Sequence, residues 1–437
     1  MHHIRIQNLG PIQSCEMDID QFTILTGPQA SGKSTVAKAV YFFRTIKDEI
    51  FDECIDRSLQ HSDTMNGLID AIYLRLKNKF SHIFGTAWTL AEDMMVEYEY
   101  APHVSIRLQM LDDGIHFQND NNQLSYWYGA VNCVFSDALM NSLLSLFGNL
   151  PVSEYNSRLR NALSEIFHDE YETIFIPAGR SMITLLTDQL SYIFTKLNDA
   201  QRRTIDYCTQ KYVEKILSLK PMFSGGMERC YFDHVNMGIT DIREEEVFKF
   251  IDLVQKILKG RYVYSGNEER LMLNDEKFVK INYASSGQQE TVWLFNILFW
   301  YLVEGSPVNV ILEEPEAHLY PDSQKYIADI LALFIGTGNH IVVTTHSPYV
   351  LAEFNNLLYA NEVPEAKKEK VNDIIDSDML LPYQNTRAYY VNDGSIHDGM
   401  EAHPGLIRNE LIDGASLVIN ENTDRIMDLI WNEDSEL

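Results

Sequence analysis

Residues 22–35 read FTILTGPQASGKST, and this stretch decides the fold. A short apolar run, Phe22 to Thr26, leads directly into Gly27-Pro28-Gln29-Ala30-Ser31-Gly32-Lys33-Ser34, and Thr35 opens a helical pattern. G-x-x-x-x-G-K-[ST] after a strand and before a helix is the full context of a phosphate-binding loop. The residue types follow from what a polyphosphate requires. Glycines let the backbone curl so that its N–H groups converge on oxygen. The helix N-terminus adds a positive dipole end. Lys33 offers a point charge to the β- and γ-phosphates, and the Ser34 hydroxyl suits Mg²⁺. Residues 27–35 are therefore the expected nucleotide contacts, with ATP and Mg²⁺ the expected cofactors.

Strands are expected at 2–7 and 15–20, around the turn Asn8-Leu9-Gly10-Pro11. Residues 171–177 read as a strand, and 182–220 as amphipathic helices. A helix over 242–258 stops at Gly260, and 261–283 alternates like hairpins. Beyond that, strands at 308–313 and 340–345 alternate with helices at 288–304, 322–335 and from Pro348 onward. Strand–helix alternation at both ends predicts a discontinuous α/β domain. Its expected parts are 1–47 and 261–360, with 171–181. Residues 48–260 are expected to form a mostly helical insertion with a few strands, and 361–437 a hairpin–helix extension.

Three further constellations carry chemistry. The run VNVILEEPE (308–316) is an apolar strand ending in Glu313 and Glu314. Adjacent strand residues face opposite ways, so one carboxylate can serve a metal ion while the other orients water; the bland alternative is a solvated strand end. The run ASSGQQE (284–290) sets small residues before a helix, a second anion-binding surface best explained as acting across a dimer interface. A plain N-cap, Ser285 or Ser286 with Gln289 or Gln288, is the competing account. His346, in TTHSP, follows the strand next after the acidic one and is placed to sense a γ-phosphate; a structural histidine is the alternative.

The bulk numbers bound these readings. The chain has 437 residues, 45% of them hydrophobic, enough for a sizeable core. Sixty-three acids against 35 bases give a net charge of −28, unlike a protein coated for duplex DNA. The most basic stretches are Arg75-Lys77-Lys79 and 196–220, with acids interleaved in the second. No apolar run of about 18 residues suggests a membrane span. Five scattered cysteines fit a reducing, cytoplasmic setting.

GPQASGKS, ASSGQQE, ILEEPEAHLYP and TTHSP stand in the order of the motifs of ABC-type ATPases. The chain resembles most closely the OLD, RecF and SMC-like branch of these P-loop proteins, often called AAA family ATPases. The resemblance covers about residues 1–47 and 280–360. It implies that Lys33 and Ser34 hold phosphate and Mg²⁺. Glu313, longer by a methylene than the usual aspartate, is then the metal acid, Glu314 the general base and His346 the switch. Ser285, Ser286, Gly287 and Gln288 would face the nucleotide of a second protomer. ATP would be sandwiched between two copies, a homodimer or higher oligomer. IPAGRS (176–181) resembles a strand end of similar ATPases from which Arg180 would reach toward phosphate. Asp376-Ser377-Asp378 fits the D-x-D of a Toprim nuclease but follows a polar run, so a stand-alone ATPase is expected. The resemblance makes an ATP-driven switch working on a separate effector, in bacterial anti-phage defence, the leading reading. A DNA-repair or DNA-structure-binding ATPase is the alternative, with no membrane partner in either.

Overall fold

The computed structural model describes residues 1–58, 65–85, 90–110, 115–118, 125–128, 131–149, 155–196, 205–401 and 405–431. Its strands are β1 (His2–Leu9), β2 (Ile12–Ile19), β3 (Phe22–Thr26), β4 (Met95–Ala101), β5 (Val104–Met110), β6 (Ile115–Gln118), β7 (Ser125–Tyr128) and β8 (Val131–Phe135). There follow β9 (Glu172–Ile176), β10 (Arg261–Ser265), β11 (Glu268–Met272), β12 (Phe278–Lys280), β13 (Val308–Glu313), β14 (His340–Thr345), β15 (Thr386–Asn392) and β16 (Ser395–Asp398). Eleven of them make one sheet, in the order β8-β5-β4-β1-β2-β16-β15-β3-β14-β13-β9.

The sheet has two characters. From β15 to β9 every neighbour is parallel, and helices cover both faces. Such strands must be apolar throughout, and every residue of β3 and β13 is buried. Successive residues serve opposite faces. Ile24, Val310, Leu312 and Val343 pack on the side of the helices Ser286–Glu304, Pro321–Gly336 and Pro348–Glu362. Leu25, Ile311 and Val342 pack on the side of the helix Lys33–Arg44. The wing β2-β1-β4-β5-β8 is antiparallel, and β5 and β8 alternate buried with less buried residues along much of their length.

Two parts of the chain enter this sheet from far away in sequence. The range 48–260 supplies β4, β5 and β8 to the wing and β9 to the parallel edge. The hairpin β15–β16 lies inside the sheet, between β2 and β3. The sequence also marks a turn at Asp112-Asp113-Gly114 and a break in the helical stretch 135–168 near Gly148 and Pro151; residues 112–114 and Pro151 lie outside the described residues.

Register then places the site. Thr26 pairs with Thr345, Thr344 with Glu313, and Leu312 with Ile176. The carboxyl ends of β3, β14, β13 and β9 therefore lie side by side, the edge where parallel α/β sheets bind ligands.

Candidate functional site at the carboxyl edge of the parallel strands

The loop 27–32 leaves β3 and turns into the helix Lys33–Arg44. Gly27 (φ 141°) has no room for a side chain, since a Cβ would lie 2.2 Å from the carbonyl oxygen of Val391 in β15. Gly32 (φ 106°) caps the helix, and a Cβ there would lie 2.5 Å from Ile12 Cδ1. Pro28, Gln29, Ala30 and Ser34 are exposed, while Ser31 and Thr35 are half-buried. Lys33 is buried, and its Nζ donates to the carbonyls of Gly27 (2.8 Å) and Pro28 (2.7 Å). Burial holds its ammonium below the usual lysine range, against the opposing pull of Glu314 and Glu316.

The acids occupy the end of β13, with β14 between them and the loop. Glu313 is buried; its Oε2 accepts from the Ala178 N–H at 3.2 Å, and its Oε1 has no hydrogen-bond partner. An orphaned carboxylate oxygen is costly unless something else meets it. That oxygen and the exposed Ser34 hydroxyl are the groups at this edge that could hold a divalent cation. Glu314 takes a left-handed backbone (φ 41°), and its N–H donates to the Thr344 carbonyl at 2.9 Å. That bend turns its side chain to the edge, where Oε1 lies 3.6 Å from Nδ1 of the exposed His346. Glu316, which motif reading passed over, is buried beside them. It accepts from Thr345 Oγ1 (2.6 Å) and the His346 N–H (3.2 Å), so it fixes the backbone that presents the histidine.

Arg180 requires a correction. The expected reach toward phosphate is not made: the guanidinium is fully buried and spent inside the protein. Its Nε donates to the Glu290 carbonyl (2.9 Å), Nη1 to those of Pro177 (2.8 Å) and Glu313 (2.6 Å), and Nη2 to that of Glu314 (2.9 Å). Nη2 also lies 3.3 Å from Glu290 Oε1. The Glu290 carboxylate in turn accepts from the Arg180 and Ser181 N–H groups at 2.9 and 2.7 Å. Arg180 thus braces the carbonyls of both acids against the helix Ser286–Glu304. A carboxylate inside the apolar run ETVWLFNILF was the signal that could have revealed the pair.

At the start of that helix, Ser285 is the N-cap, forming a capping box with Gln288. Ser285 and Ser286 are exposed, Gln288 is half-buried, and Gln288 Nε2 donates to the Leu258 carbonyl at 2.7 Å. Gly287 is buried: a Cβ there would lie 2.9 Å from the His318 carbonyl oxygen and 3.2 Å from Leu319 Cδ2. The serine–glycine turn therefore abuts the stretch after Glu316 of its own chain. The capping account and an outward-facing serine coexist here.

Several described residues of the basic stretches are paired with acids. Arg75 pairs with Glu49 at 2.6 Å, Lys79 with Glu49 at 2.7 Å and Lys220 with Glu269 at 2.7 Å. Lys215 pairs with Glu172 at 3.1 Å. Asp376 and Asp378 accept from Lys249 at 2.9 and 2.6 Å, docking their segment onto the helix Glu244–Leu258. Among the described residues, no helix is long and apolar enough to cross a membrane.

Similar solved structures include an SMC head domain from Thermotoga maritima, at 12% identity and TM-score 0.37, covering 91% of this chain and 97% of that one. Another is the Smc head domain with an extended coiled coil bound to the C-terminal domain of ScpA derived from Pyrococcus furiosus, at 11% identity and TM-score 0.35, covering 91% and 95%. No curated protein sequence matches the chain. A family profile described as "AAA ATPase domain" matches residues 1–215 and 155–351, from β1 through the loop, the acids and His346. That match spans most of the 437 residues, and the chain belongs to the AAA ATPase domain family.

Proposed function

We propose that the chain hydrolyses ATP with Mg²⁺ and works as a dimeric switch, two copies closing on nucleotide and opening after turnover, with the state passed to a separate effector protein. The observation that carries this reading is the meeting at one sheet edge of a P-loop lysine, an orphaned acid at Glu313 and the Glu314–His346 contact.

The residues divide the work. Lys33 and the loop N–H groups bind and orient phosphates. Ser34 and Glu313 would hold Mg²⁺, which supplies charge neutralisation to the transferring phosphoryl group. Glu314 takes the proton of the attacking water, and His346, within reach of it, holds that carboxylate in line. Arg180 and Glu290 fix the backbone from which both acids project. Ser286 and Gly287 of one copy complete the other copy's site. An anti-phage role in bacteria rests on the family resemblance of the four motifs, an argument by analogy.

Lys33→Ala tests the binding step. Losing a charge-assisted contact worth roughly 1.5–3 kcal/mol weakens binding of a fluorescent ATP analogue about tenfold to a hundredfold. Unaltered binding rules out the loop as the nucleotide site.

A further inference from the structure

A cavity of about 300 Å³ lies between the helices Gly226–Met237 and Glu244–Leu258 and the strands β10 and β11. That is at the small end of ligand pockets, roughly 300–1,000 Å³. It shares no residue with the nucleotide edge. Met227, Ile251, Val254, Leu258 and Tyr262 form its buried floor. The cavity opens to solvent on one side, so its apolar floor lies within reach of a ligand.

The rim is polar, and its charges are already answered. Arg261 pairs with Asp275 at 2.9 Å, and Arg270 with Glu268 at 2.9 Å. Glu228, in the first turn of the helix Gly226–Met237, meets that helix's positive end. An apolar floor under a balanced polar rim fits a neutral molecule, because a charged one would strand its charge there.

One residue of the floor is bonded to the serine–glycine turn. Leu258 lies in the floor, and its carbonyl accepts from Gln288 Nε2 at 2.7 Å. Gln288 closes the capping box on Ser285. A ligand that shifts Leu258 moves the group that sets the turn.

We propose that this cavity binds a small uncharged molecule, with an apolar body and one hydrogen-bonding end, and that its occupancy tunes the Ser285–Gln288 turn; this second part rests on the ATPase reading above. The test titrates the full chain with 6-propionyl-2-(dimethylamino)naphthalene, an uncharged dye sensitive to polarity. We expect one saturable site with blue-shifted emission, displaced by decanol and not by decanoate or decylamine. Val254→Trp fills the floor and weakens the dye about tenfold or more; Gln255→Trp, at the half-buried rim, does the same if the first variant fails to fold. No saturable binding, equal displacement by the charged chains, or unchanged binding in a folded tryptophan variant overturns the site. Saturating decanol shifts the apparent ATP affinity about fivefold, and Gln288→Ala abolishes the shift while dye binding persists. An unchanged ATP affinity with the dye bound overturns the coupling alone. Absence of any turnover overturns the coupling together with the ATPase reading, while the dye titration still decides the cavity.

Discussion

Replacing Arg180 with leucine strips one buried point of the fold of most of its polar partners. Glu290 loses its ion pair, and the carbonyls of Pro177, Glu313 and Glu314 lose donors at 2.8, 2.6 and 2.9 Å. Neither member of the pair has any exposed side-chain surface, so water cannot replace what is lost. Removing one partner of a buried pair costs roughly 3–5 kcal/mol. The stranded carbonyls push toward the upper end, and the Ser181 N–H, which still holds Glu290, pulls the other way. Urea unfolding followed by intrinsic fluorescence is expected to show a loss of about 3–5 kcal/mol with an unchanged slope. Adding Glu290→Gln removes the stranded charge, so the double variant is more stable than Arg180→Leu alone. ATP turnover falls in both, because the backbone carrying Glu313 and Glu314 loses its anchor. A loss below about 1 kcal/mol, or a double variant less stable than the single one, refutes the brace.

Two further outcomes follow from single contacts. Gly287→Ala puts a Cβ 2.9 Å from the His318 carbonyl oxygen, so backbone must give way; the melting midpoint should drop and phosphate release should fall at least about tenfold, and an unchanged midpoint and rate would show that the close approach is not needed. Burial, with Glu353 beside it, pushes the Asp329 carboxyl up to about 7. The folded state then keeps a proton that the unfolded chain gives up near the usual value of 3.8, so stability falls as pH rises between those values. Asp329→Asn should flatten that limb and be more stable than wild type above pH 7 by roughly 1–3 kcal/mol, read from melting at acid and alkaline pH; a difference independent of pH contradicts the assignment.

The parts of the site that are local in sequence were legible in it. The loop 27–34, the strand ending in Glu313 and Glu314, and His346 each announce themselves within nine residues, because strand, turn and helix start are short-range patterns. What joins them is not local. Arg180 reaches Glu290 across 110 positions and Glu313 across 133, so sequence offered a plausible phosphate contact where the fold has a brace. The hairpin at 386–398 was readable as a hairpin, but its seat beside β3 was not. Only that seat explains why Gly27 has no space for a Cβ under Val391. Nor does anything local in the sequence of β4 say that it pairs with β1, some ninety residues earlier.

Glu314 is proposed above as the base of a site completed by a second copy. Glu314→Gln keeps the shape of the side chain and removes its charge. This variant is expected to bind ATP as wild type does, to lose turnover, and to run as a stable dimer on a sizing column when ATP and Mg²⁺ are present. Turnover at the wild-type rate would contradict it.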